Sequence, residues 1–395
     1  MTVQDTLQAV RAHEDEFIAL RRDIHQHPEL PFEELRTSDL VAARLRDWGY
    51  HVERGLGGTG VVGQLKRGDG TRTLGLRADM DALPIQETTG LQYASRNQGV
   101  MHACGHDGHT AMLLAAAKVL AEQGDFSGTL NLIFQPAEEY GTSDCGAVRM
   151  INDGLFDKYP CDAVFSMHNM PGWPQGHLIF REGPMMASSD KVYITLVGHG
   201  GHGAVPHKAA DPVVAAASLV MALQTVVSRN VDPLQTAVVT VGVLQSGRAN
   251  NVIPDSAYLE LSVRALHSEV RSLLQQRITE IAHAQAQSFG VKAEIDYRRG
   301  YAALVNSKYE TDFARQIGSE LVGAERVVPQ APPLTGSEDF AFMLEKCPGS
   351  YLLIGNGDGD KLGACMVHNP GYDFNDANLA IGAAYWTLLA RRYLV

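Results

Sequence analysis

Four short apolar runs, each followed by side chains able to bind a cation, constrain the fold of this chain more than any other feature. Thr73-Leu-Gly-Leu76 leads into Arg77-Ala-Asp79-Met-Asp81-Ala-Leu-Pro84. Thr129-Leu-Asn-Leu-Ile-Phe134 ends in Gln135-Pro-Ala-Glu138-Glu139, and Asp162-Ala-Val-Phe-Ser-Met167 ends at His168. Tyr351-Leu-Leu-Ile354 has His368 in the loop beyond it. Helical segments lie between several of these runs, the mark of an α/β sheet with largely parallel strands. Ligands of such sheets sit beyond the carboxyl ends of the strands, where Asp81, Glu138, Glu139 and His168 all fall.

The densest group of donor side chains lies in Met101-His-Ala-Cys-Gly-His-Asp-Gly-His-Thr110. A strong helix former, Ala111 to Leu120, follows and is closed by Gly124, so the group reads as a loop feeding a helix N-terminus. Cys104 is a soft, thiolate-forming donor and His106 a borderline one, a pair suited to zinc or a similar divalent metal. Hydrogen-bonded loop histidines beside a buried thiol are the plainer alternative. A zinc finger is excluded, since no second Cys or His pair follows at the required interval. The helical His-Glu-x-x-His of zinc proteases is absent as well. Gly55-Leu-Gly-Gly-Thr-Gly60 has dinucleotide-fingerprint spacing, but the strand Val61 to Leu65 stands where a helix N-terminus would be needed, so a hairpin turn is expected.

The 395 residues exceed one ordinary core, so two domains are expected. Residues 4 to 24 read as one amphipathic helix, ended before Pro28, and Thr37-Ser-Asp39 opens a second that stops at Gly49. From about Ser188 the grammar changes. A strand Lys191 to Val197 precedes a glycine-rich loop, then a helix capped by Asp211 with Pro212 at its first position. Strands Ala237 to Gln245 and Ala257 to Leu266, a helix Glu269 to Ser288 and a strand Lys292 to Arg298 complete a ferredoxin-like split order. The expected organisation is a first domain in residues 1–187 and 301–395, which carries the candidate metal-binding residues, interrupted by an inserted domain over 188–300. An Asn375-capped helix closes the chain.

The net charge of −12 argues against nucleic acid or an anionic membrane as partner. Five scattered cysteines, no basic leader and no apolar run approaching the ~20 residues of a membrane span make a cytoplasmic protein the expectation.

Taken singly, the remaining candidates are weak signals. Glu138-Glu139 can divide labour in a strand-end loop, one holding metal and one moving protons, or form a solvated acidic pair. Asp79 and Asp81 share one face of an extended strand, which suits a ligand or the orientation of a ligating imidazole, and equally a capped turn before Pro84. His168 and His368 each read alone as structural histidines. His202 sits in the loop Gly200-Gly-His202-Gly-Ala, with Asn251 and Arg264 elsewhere in the same segment.

Together they form a recognisable series. Asp79-Met-Asp81-Ala-Leu-Pro84, Cys104-Gly-His106-Asp-Gly-His109, Gln135-Pro-Ala-Glu138-Glu139, Met167-His168-Asn169, Gly201-His202-Gly-Ala-Val-Pro206-His207, Gly336-Ser-Glu338-Asp339-Phe340 and His368-Asn-Pro-Gly371 occur in one order. The set resembles the aminoacylase/carboxypeptidase family of dinuclear metallohydrolases, in particular its branch of hippurate hydrolases, N-acyl-amino-acid amidohydrolases and auxin-conjugate hydrolases. The resemblance implies a zinc-peptidase-like, largely parallel sheet flanked by helices, with an inserted ferredoxin-like lid and dimerisation domain.

It also implies that Cys104, His106, Glu139, His168 and His368 hold two divalent cations per subunit, whether zinc, manganese, nickel or cobalt. Cys104 stands where many relatives have a bridging aspartate, and Asp79 where they have a histidine ligand. Glu138 would be the general base, Asp81 would orient a ligand, and His202, Asn251 and Arg264 would contact the substrate from the lid. The implied activity is hydrolysis of small N-acyl or N-aroyl amino acids by a homodimer or tetramer joined through the lid. A dipeptidase or carboxypeptidase on the same metal site is the alternative.

Overall fold

The apolar runs Thr73–Asp79, Gly128–Gln135, Ala163–Pro171 and Gly349–Gly357 pair side by side as parallel strands in the middle of one sheet. This is seen in a computed structural model, which describes residues 2–395. The chain divides into two compact units, one built from the chain up to Gly183 with Val305–Pro332 and Asp339–Val395, the other from Pro184–Leu304 with Pro333–Glu338.

In the first unit the sheet has eight strands in the order His51–Leu56, Gly60–Arg67, Gly128–Gln135, Thr73–Asp79, Ala163–Pro171, Gly349–Gly357, Leu178–Ile179, Val327–Val328. The first two join antiparallel, through the hairpin expected at Gly57 and Gly58, and Leu178–Ile179 also runs antiparallel to Gly349–Gly357. The result is the mixed, centrally parallel α/β sheet implied by the alternation. Its central strands are buried almost throughout, as strands covered by helices must be.

Helices His106–Gln123 and Asn378–Tyr393 bring the largest share of core side chains, including Met112, Leu113, Leu114, Trp386 and Leu389. They approach closely: a Cβ on Gly382 would lie 2.1 Å from the Met112 sulfur. Trp386 is 1% exposed, so Trp386→Ala is expected to cost ~3–5 kcal/mol of stability, read from the denaturant midpoint at unchanged metal content.

Local boundaries differ from the sequence reading at four places. The first helix is two, Val3–Arg11 and Glu14–Gln26, broken at Ala12 and His13, with Glu14, Asp15 and Glu16 at the new N-terminus, where acidic residues suit the helix dipole. The next helix begins at Leu35 and not at Thr37, because its early amides on Arg36 and Thr37 donate to the distant Glu29 carboxylate at 2.7 and 2.9 Å. The helix after the Met101–Thr110 group starts at His106 on a left-handed Gly105 (φ 93°), so His106 and His109 are helical while His102 and Cys104 lie in the loop. The last helix starts at Asn378, three residues beyond Asn375, whose Oδ1 accepts Ala377 N at 3.2 Å in the turn ahead of the helix while its amide group donates to the Asn356 carbonyl at 3.1 Å.

The second unit is a four-stranded antiparallel sheet, ordered Ala237–Ser246, Ser256–Ala265, Asp190–Val197, Lys292–Arg299, with helices Pro212–Asn230 and Ser268–Ser288. Asp211 caps the first helix by accepting from Val213 N at 2.8 Å. One face buries Val192, Ile194 and Leu196 with Leu219, Leu223, Leu274 and Ile278. By length and composition Pro212–Asn230 is apolar enough to cross a membrane, contrary to the expectation that no run approaches that size. Its Ala215, Leu219, Leu223 and Val226 are buried within the unit's core.

Candidate metal centre

Asp79 ends its strand and Asp81 lies two residues on; both are buried. The Asp81 carboxylate receives His106 Nδ1 at 3.2 Å and Glu138 N at 3.0 Å on one oxygen, and Glu139 N at 2.8 Å on the other. With Nδ1 committed as donor, the His106 Nε2 lone pair is left for a cation, and that buried atom has no hydrogen-bond partner. His168 is arranged likewise, its Nδ1 donating to Asn169 O at 2.6 Å while Nε2 lies 3.3 Å from Cys104 Sγ.

His368, at the rim and about half exposed, places Nε2 2.8 Å from Glu139 Oε1. Its φ of 63° is left-handed, and its amide is fixed on Ala103 O at 2.7 Å. Donor atoms of Cys104, His106 and His168 lie within 4.8 Å of one another, as do those of Cys104, Glu139 and His368, and of His106, Glu138 and Glu139. Cys104 belongs to the first two trios. The geometry therefore joins all five residues expected to hold metal, and sets the Glu138 carboxylate beside them.

The electrostatics fit a cation. Burial, and then the Glu139 and Glu138 carboxylates, push the Cys104 thiol well above its ordinary range. Burial opposes protonation of His106, yet Asp79 and Asp81 push it up to about 10. The Cys104 thiol and the His106 imidazolium each hold a proton among carboxylates, and a divalent ion would supply positive charge in place of both protons.

A fourth trio, Asp79, His106 and His109, is better explained by hydrogen bonds. His109 Nδ1 donates to Asp79 at 2.6 Å and its Nε2 accepts Asn169 N at 2.9 Å, so no lone pair remains. Asp79 also receives Arg77 Nη1 at 2.7 Å, and Arg77 continues to Gln135 at 2.9 Å and Asp339 at 3.1 Å. Burial would raise the Asp79 carboxyl, but His106, Arg77 and His109 hold it well below the usual range.

The residues expected to act on substrate lie in the second unit. His202 pairs with Val252 across two short strands, next to Asn251, whose carbonyl accepts Gly203 N at 2.8 Å. Both are exposed. Arg264 sits apart on Ser256–Ala265 and donates to Ser337 Oγ at 3.1 Å.

Two groups of buried partners escaped the sequence reading. Asp107 accepts from His25 at 2.9 Å and Arg21 at 3.3 Å, fixing the helix start from behind. Arg21 and His25 are four apart on one helix, the only sequence hint that they share a face. Asn169 donates to Cys104 O at 2.6 Å and accepts from the Tyr372 hydroxyl at 2.6 Å, tying the thiol's loop to the His168 strand.

Residues 75–392 match the model of Peptidase family M20/M25/M40. The chain is 47% identical over 379 residues to the hippurate hydrolase of Campylobacter jejuni, covering 96% of this chain and 97% of that one. It is 40% identical to the N-acetyl-L-cysteine deacetylase of Bacillus subtilis, covering 94% and 86%. A solved Bacillus subtilis structure described as a dinuclear metal binding peptidase superposes with a TM-score of 0.83 at 32% identity, covering 97% and 99%.

Proposed function

The chain belongs to Peptidase family M20/M25/M40, and from that membership we propose that it hydrolyses N-acyl or N-aroyl amino acids of the hippurate kind to a carboxylic acid and a free amino acid. It is a hydrolase of amide bonds that uses divalent metal. The observation carrying the reading is the Cys104 sulfur shared between two donor trios beside the Glu138 carboxylate.

Cys104, His106, Glu139, His168 and His368 hold two cations per subunit in this reading, from among zinc, manganese, nickel and cobalt. Ions bound there would supply Lewis acidity to the amide carbonyl and to the attacking water. Glu138 takes the proton of the attacking water and returns it to the leaving nitrogen, so no covalent intermediate with the protein is needed. Asp81 fixes the His106 tautomer, and through the two amides it accepts it also fixes the Glu138–Glu139 turn. Asp79 acts one step further out, orienting His109. His202 donates to the developing oxyanion, while Asn251 and Arg264 hold the substrate's carbonyl and carboxylate. Segment 188–300 serves as lid and as the interface of a homodimer or tetramer. The five free cysteines, Cys104 among them, suit a cytoplasmic location.

A panel of hippurate, N-acetyl amino acids and dipeptides, run with each metal, tests the substrate class. The acyl compounds should be cleaved fastest, because a dipeptide brings a free ammonium next to the bond being cut and so next to two cations. Dipeptides at rivalling rates would move the assignment to a dipeptidase or carboxypeptidase.

His202→Ala should lower kcat strongly and leave metal content and oligomeric state intact. If one subunit's lid closes over its partner's metals, mixing His202→Ala with Glu138→Ala under subunit exchange restores one intact site per heterodimer, and activity partly returns. An arrangement within one subunit leaves the mixture as inactive as its parents.

A further inference from the structure

We propose that Glu34 is a positioning residue, holding the turn that carries Glu138 and Glu139 by clamping the backbone amide of Ala137. The proposal rests on the assignment of Glu138 as general base. Glu34 is fully buried, just ahead of helix Leu35–Asp47. Its Oε1 accepts Ala137 N at 2.8 Å and Phe32 N at 3.0 Å, and its Oε2 accepts the Thr59 hydroxyl at 2.5 Å.

Both amides belong to residues in a costly conformation. Among the described residues, left-handed φ outside glycine occurs at Phe32 (67°), Ala137 (51°) and His368 (63°). For an L-residue that geometry costs ~1–2 kcal/mol, and it persists only where surroundings impose it. At Ala137 they do so from both sides, since the Ala137 carbonyl accepts Gly146 N at 3.2 Å. Gly146 can come so close only without a side chain, as a Cβ there would lie 1.6 Å from Pro136 O.

Three successive amides are thus held by two buried carboxylates: Ala137 N by Glu34, then Glu138 N and Glu139 N by Asp81. Asp81 sets which way the turn faces the metals, and Glu34 sets where the turn begins. Without the second anchor, Ala137 can relax toward right-handed φ and carry the Glu138 carboxylate off its line to the water. Oε1 takes both backbone amides and Oε2 only the Thr59 hydroxyl, so a glutamine with its oxygen in the place of Oε1 keeps the clamp.

The test compares two substitutions of opposite character, assayed at saturating metal with hippurate. Glu34→Asp keeps the charge but loses the reach to both amides. Glu34→Gln loses the charge but keeps an oxygen where Oε1 stands, with its amide facing the Thr59 hydroxyl. Glu34→Asp should lower kcat ~10²-fold, the scale of a 1 Å misplacement, with KM little changed and metal still bound. Glu34→Gln should stay near wild type. Equal losses in the two variants, or full kcat in Glu34→Asp, would overturn the proposal. Should Glu34→Asp not fold, Thr59→Val replaces it, expected to lower kcat several-fold, and unchanged kcat there counts against the clamp. Glu138→Ala, run alongside, separates the two claims: an active Glu138→Ala removes the base, whereas an inactive one beside a fully active Glu34→Asp removes only the clamp.

Discussion

Glu138→Ala should keep its fold and its metals and lose ~10²–10⁴-fold in kcat, the usual contribution of a positioned general base. The turn survives the substitution because its anchors are backbone amides, donated to Asp81 by Glu138 and Glu139 alike. Glu139→Ala should behave differently. Its carboxylate lies 2.8 Å from His368 Nε2 and within a trio that includes Cys104, so its removal takes a donor from a cation. Steady-state kinetics with elemental analysis of both proteins decides the matter. Two variants that both come off the column without metal would show that the neighbours do not divide the work.

Cys104→Ser should be the most damaging change at any donor. Its sulfur is common to the trios with His106 and His168 and with Glu139 and His368, so under the proposed ligand set both ions would lose a charged partner together. A serine hydroxyl at neutral pH is uncharged and a poorer donor for a borderline metal. Metal content should drop toward zero, and hydrolysis by at least ~10³-fold, given the several kcal/mol that bound metal supplies. His368→Ala, touching one trio only, should leave about half the metal. Chelation of the wild-type protein should abolish hydrolysis and re-addition restore it. A Cys104→Ser protein carrying two ions at full activity would refute the shared-sulfur arrangement.

Much of this architecture was legible because its signals are local. Strands such as Thr129 to Phe134 are apolar runs closed by Pro136, and each brings its polar residues to the same end of a parallel sheet. The Asp211–Pro212 start is a two-residue cap signal, and it stands where expected. Illegible features depend on partners far away in the chain. Nothing near Leu35 says that Glu29 will cap its helix, and nothing in Glu33-Glu34 separates a solvated pair from a carboxylate that grips Ala137. The sequence could raise Asp79 as a candidate ligand; only the contacts of His109 and Arg77 show it occupied with hydrogen bonds.

The left-handed loop bearing His368 bears on when each half of the centre can close during synthesis. Cys104, His106 and His168 have all been made before the ribosome reaches the segment Pro184–Leu304. The trio with Glu139 waits for His368, beyond that segment and beyond strand Gly349–Gly357. At ~5–20 residues per second the interval is on the order of ten seconds or more. For that time the strand bearing His168 also lacks its parallel neighbour Gly349–Gly357 and the Tyr372 hydroxyl that holds Asn169. The contact of His368 with Glu139, 229 residues apart in the chain, therefore forms late and ties the first half of the chain to its final stretch.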